Sequence, residues 1–163
     1  MPHSDNTNVY AIVQLLDELR PASVLDVGAG AGKYGDLVRQ VLPDSYVDAI
    51  EVWEPYIDEY LLNHTYRNII IADVRTVDIG PYDLVIFGDV LEHMTKEESI
   101  KVFNKVTGSV IISIPIVHYP QGHSHGNPYE EHIKDDWSVA EVLDTFDVEL
   151  VAESDITAVF VKR

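Results

Sequence analysis

The sequence contains no cysteine, which excludes a scaffold held together by disulfides. It is also poor in cations, with 11 lysine and arginine residues against 28 aspartates and glutamates and a formal net charge of −17. Binding to a nucleic-acid backbone needs clustered cations, so we expect no nucleic-acid partner. No apolar run approaches the roughly 20 residues that span a bilayer, and residues 1–8 hold no charged-then-apolar leader. We therefore expect a cytoplasmic protein without a membrane partner.

The 163 residues are enough for one domain with a proper core and too few for a separate substrate domain, so we predict a single domain over 1–163. Strand and helix patterns alternate along the chain. Predicted strands cover 24–27, 46–52, 68–72, 82–87, 109–114, 148–152 and 156–161. Helical patterns cover 9–19, 34–41 and 55–62, and two more helices follow cap signals at Thr95 and Ser138. The alternation predicts an α/β fold with a mostly parallel sheet that is covered on both faces.

Three alternating glycines follow the first predicted strand, in the segment DVGAGAG at 26–32. A phosphate loop of the Walker type would need glycine at Val27 and a hydroxyl side chain at Tyr34. A dinucleotide loop would need glycine at Lys33, where it lets the helix approach the sheet under a pyrophosphate. The spacing thus disfavours both of these nucleotide sites, and with the second of them a nicotinamide-dependent oxidoreductase.

In its spacing the segment 26–32 resembles motif I of the class I methyltransferases that use S-adenosylmethionine. The segment DVLEHM at 89–94 resembles a motif that is common among their small-molecule members. With GKYG at 32–35 and GNPYEEH at 126–132, the chain is similar over about residues 15–137 to a group of small stand-alone bacterial and phage methyltransferases. The resemblance implies a Rossmann-like, doubly wound, seven-stranded sheet whose last strand is antiparallel. It also implies S-adenosylmethionine as the cofactor.

In open α/β sheets ligands bind beyond the carboxyl ends of the strands, and each of the first five predicted strands ends in a polar residue or a glycine loop. Glycines let the backbone approach the ligand, and the Asp26 carboxylate suits the ammonium of the methionine part. The resemblance implies that Glu51 binds the ribose, that Asp73 meets the adenine amino group and that Asp89 flanks the methionine part. The predicted cofactor-binding residues are Asp26, Gly28, Gly30, Gly32, Glu51, Val52, Asp73, Val74 and Asp89.

Methyl transfer needs alignment of the acceptor and, for a hydroxyl acceptor, a base. His93 is a candidate for that base, or else a residue that orients the local backbone. The polar segment 118–137 is long for a connection in a compact domain, and we interpret it as a substrate lid, with Trp137 among the aromatic side chains at the acceptor's approach. The candidate catalytic residues are His93, His123, His125 and His132.

The histidine-rich lid leaves other interpretations open. His123, His125, His132 and a carboxylate could supply nitrogen and oxygen ligands to a metal, but their spacing matches no zinc signature and we predict no metal. The lid could also be an inert surface loop.

The function that we predict is methyl transfer from S-adenosylmethionine to an oxygen or nitrogen of a small molecule, one that is conceivably sugar-linked. The alternative is a binding module that keeps the nucleoside pocket without turnover and acts through protein partners. The acceptor and the oligomeric state are left open by the sequence.

Overall fold

Seven strands form one sheet in the computed structural model, which describes residues 6–124 and 126–163. The strands are Ser23–Val27 (β1), Tyr46–Glu51 (β2), Ile69–Ile71 (β3), Leu84–Gly88 (β4), Ser109–Pro115 (β5), Glu149–Glu153 (β6) and Thr157–Lys162 (β7). Their order across the sheet is β3-β2-β1-β4-β5-β7-β6. The pairings among β1 to β5 are parallel, and β7 runs antiparallel to both β5 and β6. The predicted α/β fold, with a mostly parallel seven-stranded sheet and an antiparallel last strand, is confirmed.

Helices cover both faces of the sheet, as the doubly wound prediction requires. They are Val9–Leu19 (α1), Lys33–Val41 (α2), Pro55–Glu59 (α3), Lys96–Phe103 (α4) and Val139–Thr145 (α5). Apolar side chains of α1, α2 and α3 belong to one buried cluster, and those of α4 and α5 belong to a second cluster. None of the helices in the described part of the chain has the length and apolarity needed to cross a bilayer.

The cap signals in the sequence act as expected. The Thr95 hydroxyl accepts from the backbone N–H of Glu98 at 3.2 Å, while the Glu98 carboxylate accepts from the Thr95 N–H at 2.9 Å, which completes a capping box at α4. The Ser138 hydroxyl accepts from the N–H of Glu141 and begins α5. By contrast, the helix predicted over 55–62 ends at Glu59, because Leu61 takes a left-handed φ of 53° and a separate 3-10 turn follows at Leu62–His64.

The expectation of full cover on both faces holds only for the central strands. Every residue of β4 is buried, whereas Ile70 and Ile71 of β3 and Leu150 and Val151 of β6 are exposed large apolar side chains. These two strands are the edges of the sheet, where each has a neighbour on one side only.

The chain direction across the sheet reverses between β1 and β4. From β1 the chain proceeds outward to β2 and β3, and then returns to β4 on the other side of β1. Such a switch point opens a crevice at the carboxyl ends of the two strands, which is where open α/β sheets bind their ligands. The glycine segment 26–32 follows β1 and the segment 89–94 follows β4, so both predicted motifs meet there.

Candidate active site

The glycine segment turns sharply from β1 into α2. Gly28, Gly30 and Gly32 all have positive φ, at 71°, 51° and 83°, which L side chains rarely adopt. The turn also lies close to the segment after β4, because a Cβ built at Gly28 would be 2.5 Å from a methyl carbon of Val90. Glycine is therefore needed at position 28 both for the conformation of the backbone and for the space beside Val90.

A pocket of about 240 Å³ opens beside this turn at the carboxyl edge of the sheet. Most of the predicted cofactor residues contribute to its wall: Gly28, Gly30, Glu51, Val52, Asp73, Val74 and Asp89. Asp26 and Gly32 are not among the lining residues. Of the predicted catalytic histidines in the described part of the chain, His93 lines the pocket and His123 and His132 do not, while His125 lies outside the described residues.

Glu51, at the end of β2, connects the pocket wall to the glycine turn. Its Oε2 accepts from the backbone N–H of Gly30 at 2.9 Å and its Oε1 accepts from that of Trp53 at 2.7 Å. Burial raises the pKa of Glu51, and these two hydrogen bonds oppose the rise. Each carboxylate oxygen has a second lone pair, so Glu51 can still accept from hydroxyl groups of a ligand.

Asp26 lies behind the wall of the pocket. Its side chain is fully buried, and its Oδ2 accepts from the hydroxyl of Tyr66 at 2.5 Å. Burial raises the pKa of Asp26 to about 7, and the negative charge of Glu51 adds to the rise. Asp26 is thus buried behind the lining residues of the pocket, and its role in binding the ligand ammonium stays a prediction.

Asp73 and Asp89 occupy the pocket wall in different ways. Arg75 holds Asp73 through an ion pair at 2.5 Å and keeps the pKa of that carboxyl below its usual value. Asp89, directly after β4, has a left-handed φ of 55° and donates its backbone N–H to Ser113 on β5 at 2.8 Å. Aspartate tolerates this conformation better than most side chains, and the turn directs the following residues back over the sheet.

Part of the segment 118–137, residues 127–131 and 133, lines one side of the pocket. A 3-10 turn at Pro128–Glu130 supplies lining residues, and Glu130 accepts from the Tyr56 hydroxyl of α3 at 3.0 Å. Trp137 is the exception, because its ring is only 1% exposed and packs in the core beside Phe146. The interpretation of Trp137 as an acceptor-facing side chain is therefore wrong.

His93, after β4, lies against His132 of this segment. Their ring centroids are 4.8 Å apart with planes at 74°. The Nδ1 of His93 is 3.0 Å from the carbonyl oxygen of Glu131, and the Nδ1 of His132 is 2.6 Å from that of Tyr119. Burial lowers the pKa of both histidines. By contrast, His123 is exposed and lies 3.6 Å from a carboxylate oxygen of Glu131.

Several lining residues are not among the predicted site residues. Tyr34 belongs to the helical stripe of α2, yet it lines the pocket and packs on Gly88, where a Cβ would lie 1.8 Å from its ring. Arg75 and Ile133 also line the wall. The signal that could have found Arg75 is its position two residues after the predicted Asp73.

The comparisons with known proteins agree on the fold. No family model matches this sequence, and no curated protein sequence matches it. The N-terminal domain of EvdMO1, solved with S-adenosylhomocysteine (SAH) bound, superposes with a TM-score of 0.73 at 16% identity, over 98% of this chain and 82% of that one. A candidate O-methyltransferase from Nostoc punctiforme superposes with a TM-score of 0.69 at 21% identity, over 92% of this chain and 53% of that one. Human N-acetylserotonin methyltransferase, solved with S-adenosylmethionine (SAM), superposes with a TM-score of 0.68 at 12% identity, over 96% of this chain and 51% of that one.

All three likenesses are below 25% identity. They establish a Rossmann-like methyltransferase fold. This chain spans about half the length of the Nostoc and human proteins, so the activities of those longer chains do not transfer to it directly.

Proposed function

We propose that this protein transfers a methyl group from SAM to an oxygen or nitrogen of a small-molecule acceptor, with sugar-linked metabolites among the candidates. The observation that carries the proposal is the position of the pocket, at the switch point of a methyltransferase fold and beside a glycine turn with three positive φ angles. The neighbours solved with SAH or SAM support the same cofactor.

The charge of the pocket suits SAM. Five carboxylates and two cations line it: Glu51, Asp73, Asp89, Glu130 and Glu131 against Lys33 and Arg75. A sulfonium and an ammonium outweigh one carboxylate in SAM, so the cofactor has a net positive charge. Two dinucleotide phosphates would instead face a surplus of negative charge at the same wall. This complementarity also argues against a nicotinamide cofactor.

The reaction requires little of the protein beyond alignment, because the sulfonium already activates the methyl group. The methyl carbon passes from the sulfonium to a lone pair of the acceptor, the sulfur becomes a neutral thioether, and the acceptor loses a proton. The protein has to align the two groups, and we assign that role to the residues of the segment that line the pocket, 127–131 and 133. Among the described histidines, His93 lies on the pocket wall.

Glu51→Ala should weaken SAH binding by the value of one charge-assisted hydrogen bond. At about 1.5–3 kcal/mol for such a bond, the expected loss is roughly 10- to 150-fold in Kd. Isothermal calorimetry on both proteins measures it. Glu54→Ala, at an exposed position three residues away, is the control and should bind like the wild type.

Transfer of a labelled methyl group into a small-molecule extract tests the proposal as a whole. A wild type that binds SAH but labels no acceptor would leave the non-catalytic binding module as the function. A wild type that binds neither SAM nor SAH, or that binds NAD more tightly, would contradict the assignment of the cofactor.

A further inference from the structure

Glu92 is a buried acid whose carboxylate makes no hydrogen bond to the described residues. It lies in the 3-10 turn Leu91–His93 and is only 1% exposed. Neither of its carboxylate oxygens has a hydrogen-bond partner among the described residues. Native proteins rarely leave a buried acid in this state, because the lost hydration of the carboxylate has to be replaced by a hydrogen bond or by a bound cation.

Two histidines beside Glu92 are held as metal ligands are held. Because a carbonyl oxygen can only accept, the contacts of His93 and His132 with the carbonyls of Glu131 and Tyr119 place a proton on each Nδ1. Each neutral ring then keeps the lone pair of its Nε2. Histidines that ligate metals usually donate their other N–H to a backbone carbonyl or carboxylate in this manner.

The three side chains converge on one point. One potential ligand atom from each of Glu92, His93 and His132 lies within 4.8 Å of those of the other two. A single point therefore lies within about 2.8 Å of all three ligand atoms. In an occupied zinc site the distance from the ion to such nitrogen and oxygen atoms is about 2.0–2.2 Å. Small side-chain rotations would close that difference.

The backbone holds this arrangement from both sides. The carbonyl oxygen of Glu92 accepts from the N–H groups of Ile133 at 2.8 Å and Lys134 at 3.0 Å. These bonds attach the lid to the 3-10 turn on the C-terminal side of His132. A third bond, from the His132 N–H to the carbonyl of Gln121 at 2.9 Å, fixes the same residue within the lid. The cluster is thus built on positioned backbone rather than on free surface side chains.

We propose that Glu92, His93 and His132 bind a divalent transition-metal ion. Two imidazoles and one carboxylate suit zinc, iron(II), cobalt(II) and manganese(II), whereas magnesium and calcium prefer all-oxygen sites. These three ligands differ from the metal site considered from the sequence, which contained His123, His125 and His132. The exposed His123 is not a ligand here, and the carboxylate is that of Glu92 in the segment after β4.

The position of the ion bears on the acceptor, a consequence that rests on the proposed function. Three protein ligands leave an ion of this kind at least one open coordination position. His93 lies on the pocket wall, so that position would be near a molecule in the pocket. The ion would bind an oxygen of the acceptor there and lower the pKa of its hydroxyl, which favours oxygen over nitrogen as the methylated atom.

The test is metal binding by the full chain after treatment with a chelator. Titration with cobalt(II), followed by its visible absorption, and calorimetry with zinc should each give one tight site per chain. Glu92→Gln and His132→Ala should each weaken binding by about 100-fold or more, since even changes behind the ligands usually cost 10- to 100-fold. His118→Ala removes an exposed histidine of the same segment and should bind metal like the wild type.

Thermal unfolding and SAH binding separate the possible outcomes. Metal at about 100 times the wild-type Kd should raise the unfolding temperature of the wild type by about 5–10 °C and that of Glu92→Gln by less than about 2 °C. Both variants should still bind SAH, so a loss of the proposed cofactor site would be seen separately. The proposal is overturned if the wild type takes up no cobalt or zinc, or if binding is lost in His118→Ala and retained in Glu92→Gln and His132→Ala.

Discussion

Asp26→Asn should stabilise the protein much more at pH 8 than at pH 4. Burial raises the pKa of Asp26 to about 7, from 3.8 in the unfolded chain. Between these values the folded protein holds a proton that the unfolded chain has released, so the stability of the wild type falls as the pH rises from about 4 to about 7. A difference of about three pKa units corresponds to about 4 kcal/mol. The asparagine variant does not titrate and should not show this loss.

The measurement is the free energy of unfolding in urea at several pH values for both proteins. The difference between variant and wild type should grow by about 4 kcal/mol from pH 4 to pH 8. The asparagine carbonyl oxygen can still accept from the Tyr66 hydroxyl, which keeps the hydrogen bond that Asp26 makes now. A difference that stays constant over this range would show that Asp26 is ionised throughout, and that its burial is compensated by a partner.

Asp48 on the neighbouring strand provides a control of opposite sign. It is also buried, and burial alone would raise its pKa, but hydrogen bonds from Arg67, Tyr82 and Asn68 outweigh this and hold the pKa below its usual value. The folded state is then stabilised above the unfolded pKa and loses that contribution as the pH falls. Asp48→Asn should therefore destabilise the protein at pH 8 and have a smaller effect at low pH.

The positions of the two aspartates explain why their roles differ. Asp26 pairs in register with Ala49 on β2, and Asp48 pairs with Leu25 on β1, so the two side chains are one register position apart and point to opposite faces of the sheet. Asp48 accepts from Arg67 and Asn68, just before β3, whereas Asp26 accepts from Tyr66, whose ring lies against Gly35 at the start of α2. We infer that Asp26 supports the turn through Tyr66.

Local signals in the sequence account for most of the predictable fold. The capping box at Thr95 and the cap at Ser138 involve residues three positions apart, and the apolar strands are short continuous runs. Each of these patterns depends on neighbours along the chain, so it can be recognised without knowledge of the tertiary structure.

Contacts between distant residues account for what the sequence did not predict. Tyr66 meets Asp26 across 40 positions, and Glu92 meets His132 only because the lid folds back onto the 3-10 turn. No periodicity or spacing encodes such contacts. Trp137 shows the same limit, because an aromatic residue at the end of a polar segment can pack inward or face a ligand, and the sequence does not distinguish the two.

The lid is attached to the core at its C-terminal end by Trp137. The Trp137 ring belongs to the buried cluster that contains the side chains of α4 and α5. The Lys134 ammonium lies 5.0 Å from the ring centroid. Lys134 in turn pairs with Glu141 of α5 at 3.0 Å. Since Lys134 also donates its backbone N–H to the carbonyl of Glu92, movement of Trp137 would be transmitted to the metal-binding cluster.

Trp137→Ala should lower the free energy of unfolding by about 3–5 kcal/mol, because it removes a fully buried aromatic ring and leaves a cavity against Phe146. Urea unfolding followed by circular dichroism measures the loss. Trp137→Phe keeps most of the apolar volume and should lose clearly less, while Tyr10→Ala, at a side chain that is 72% exposed, should stay within about 0.5 kcal/mol of the wild type. Equal stability of Trp137→Ala and Tyr10→Ala would mean that the ring does not hold the lid to the core, and that the lid is positioned from the Glu92 side alone.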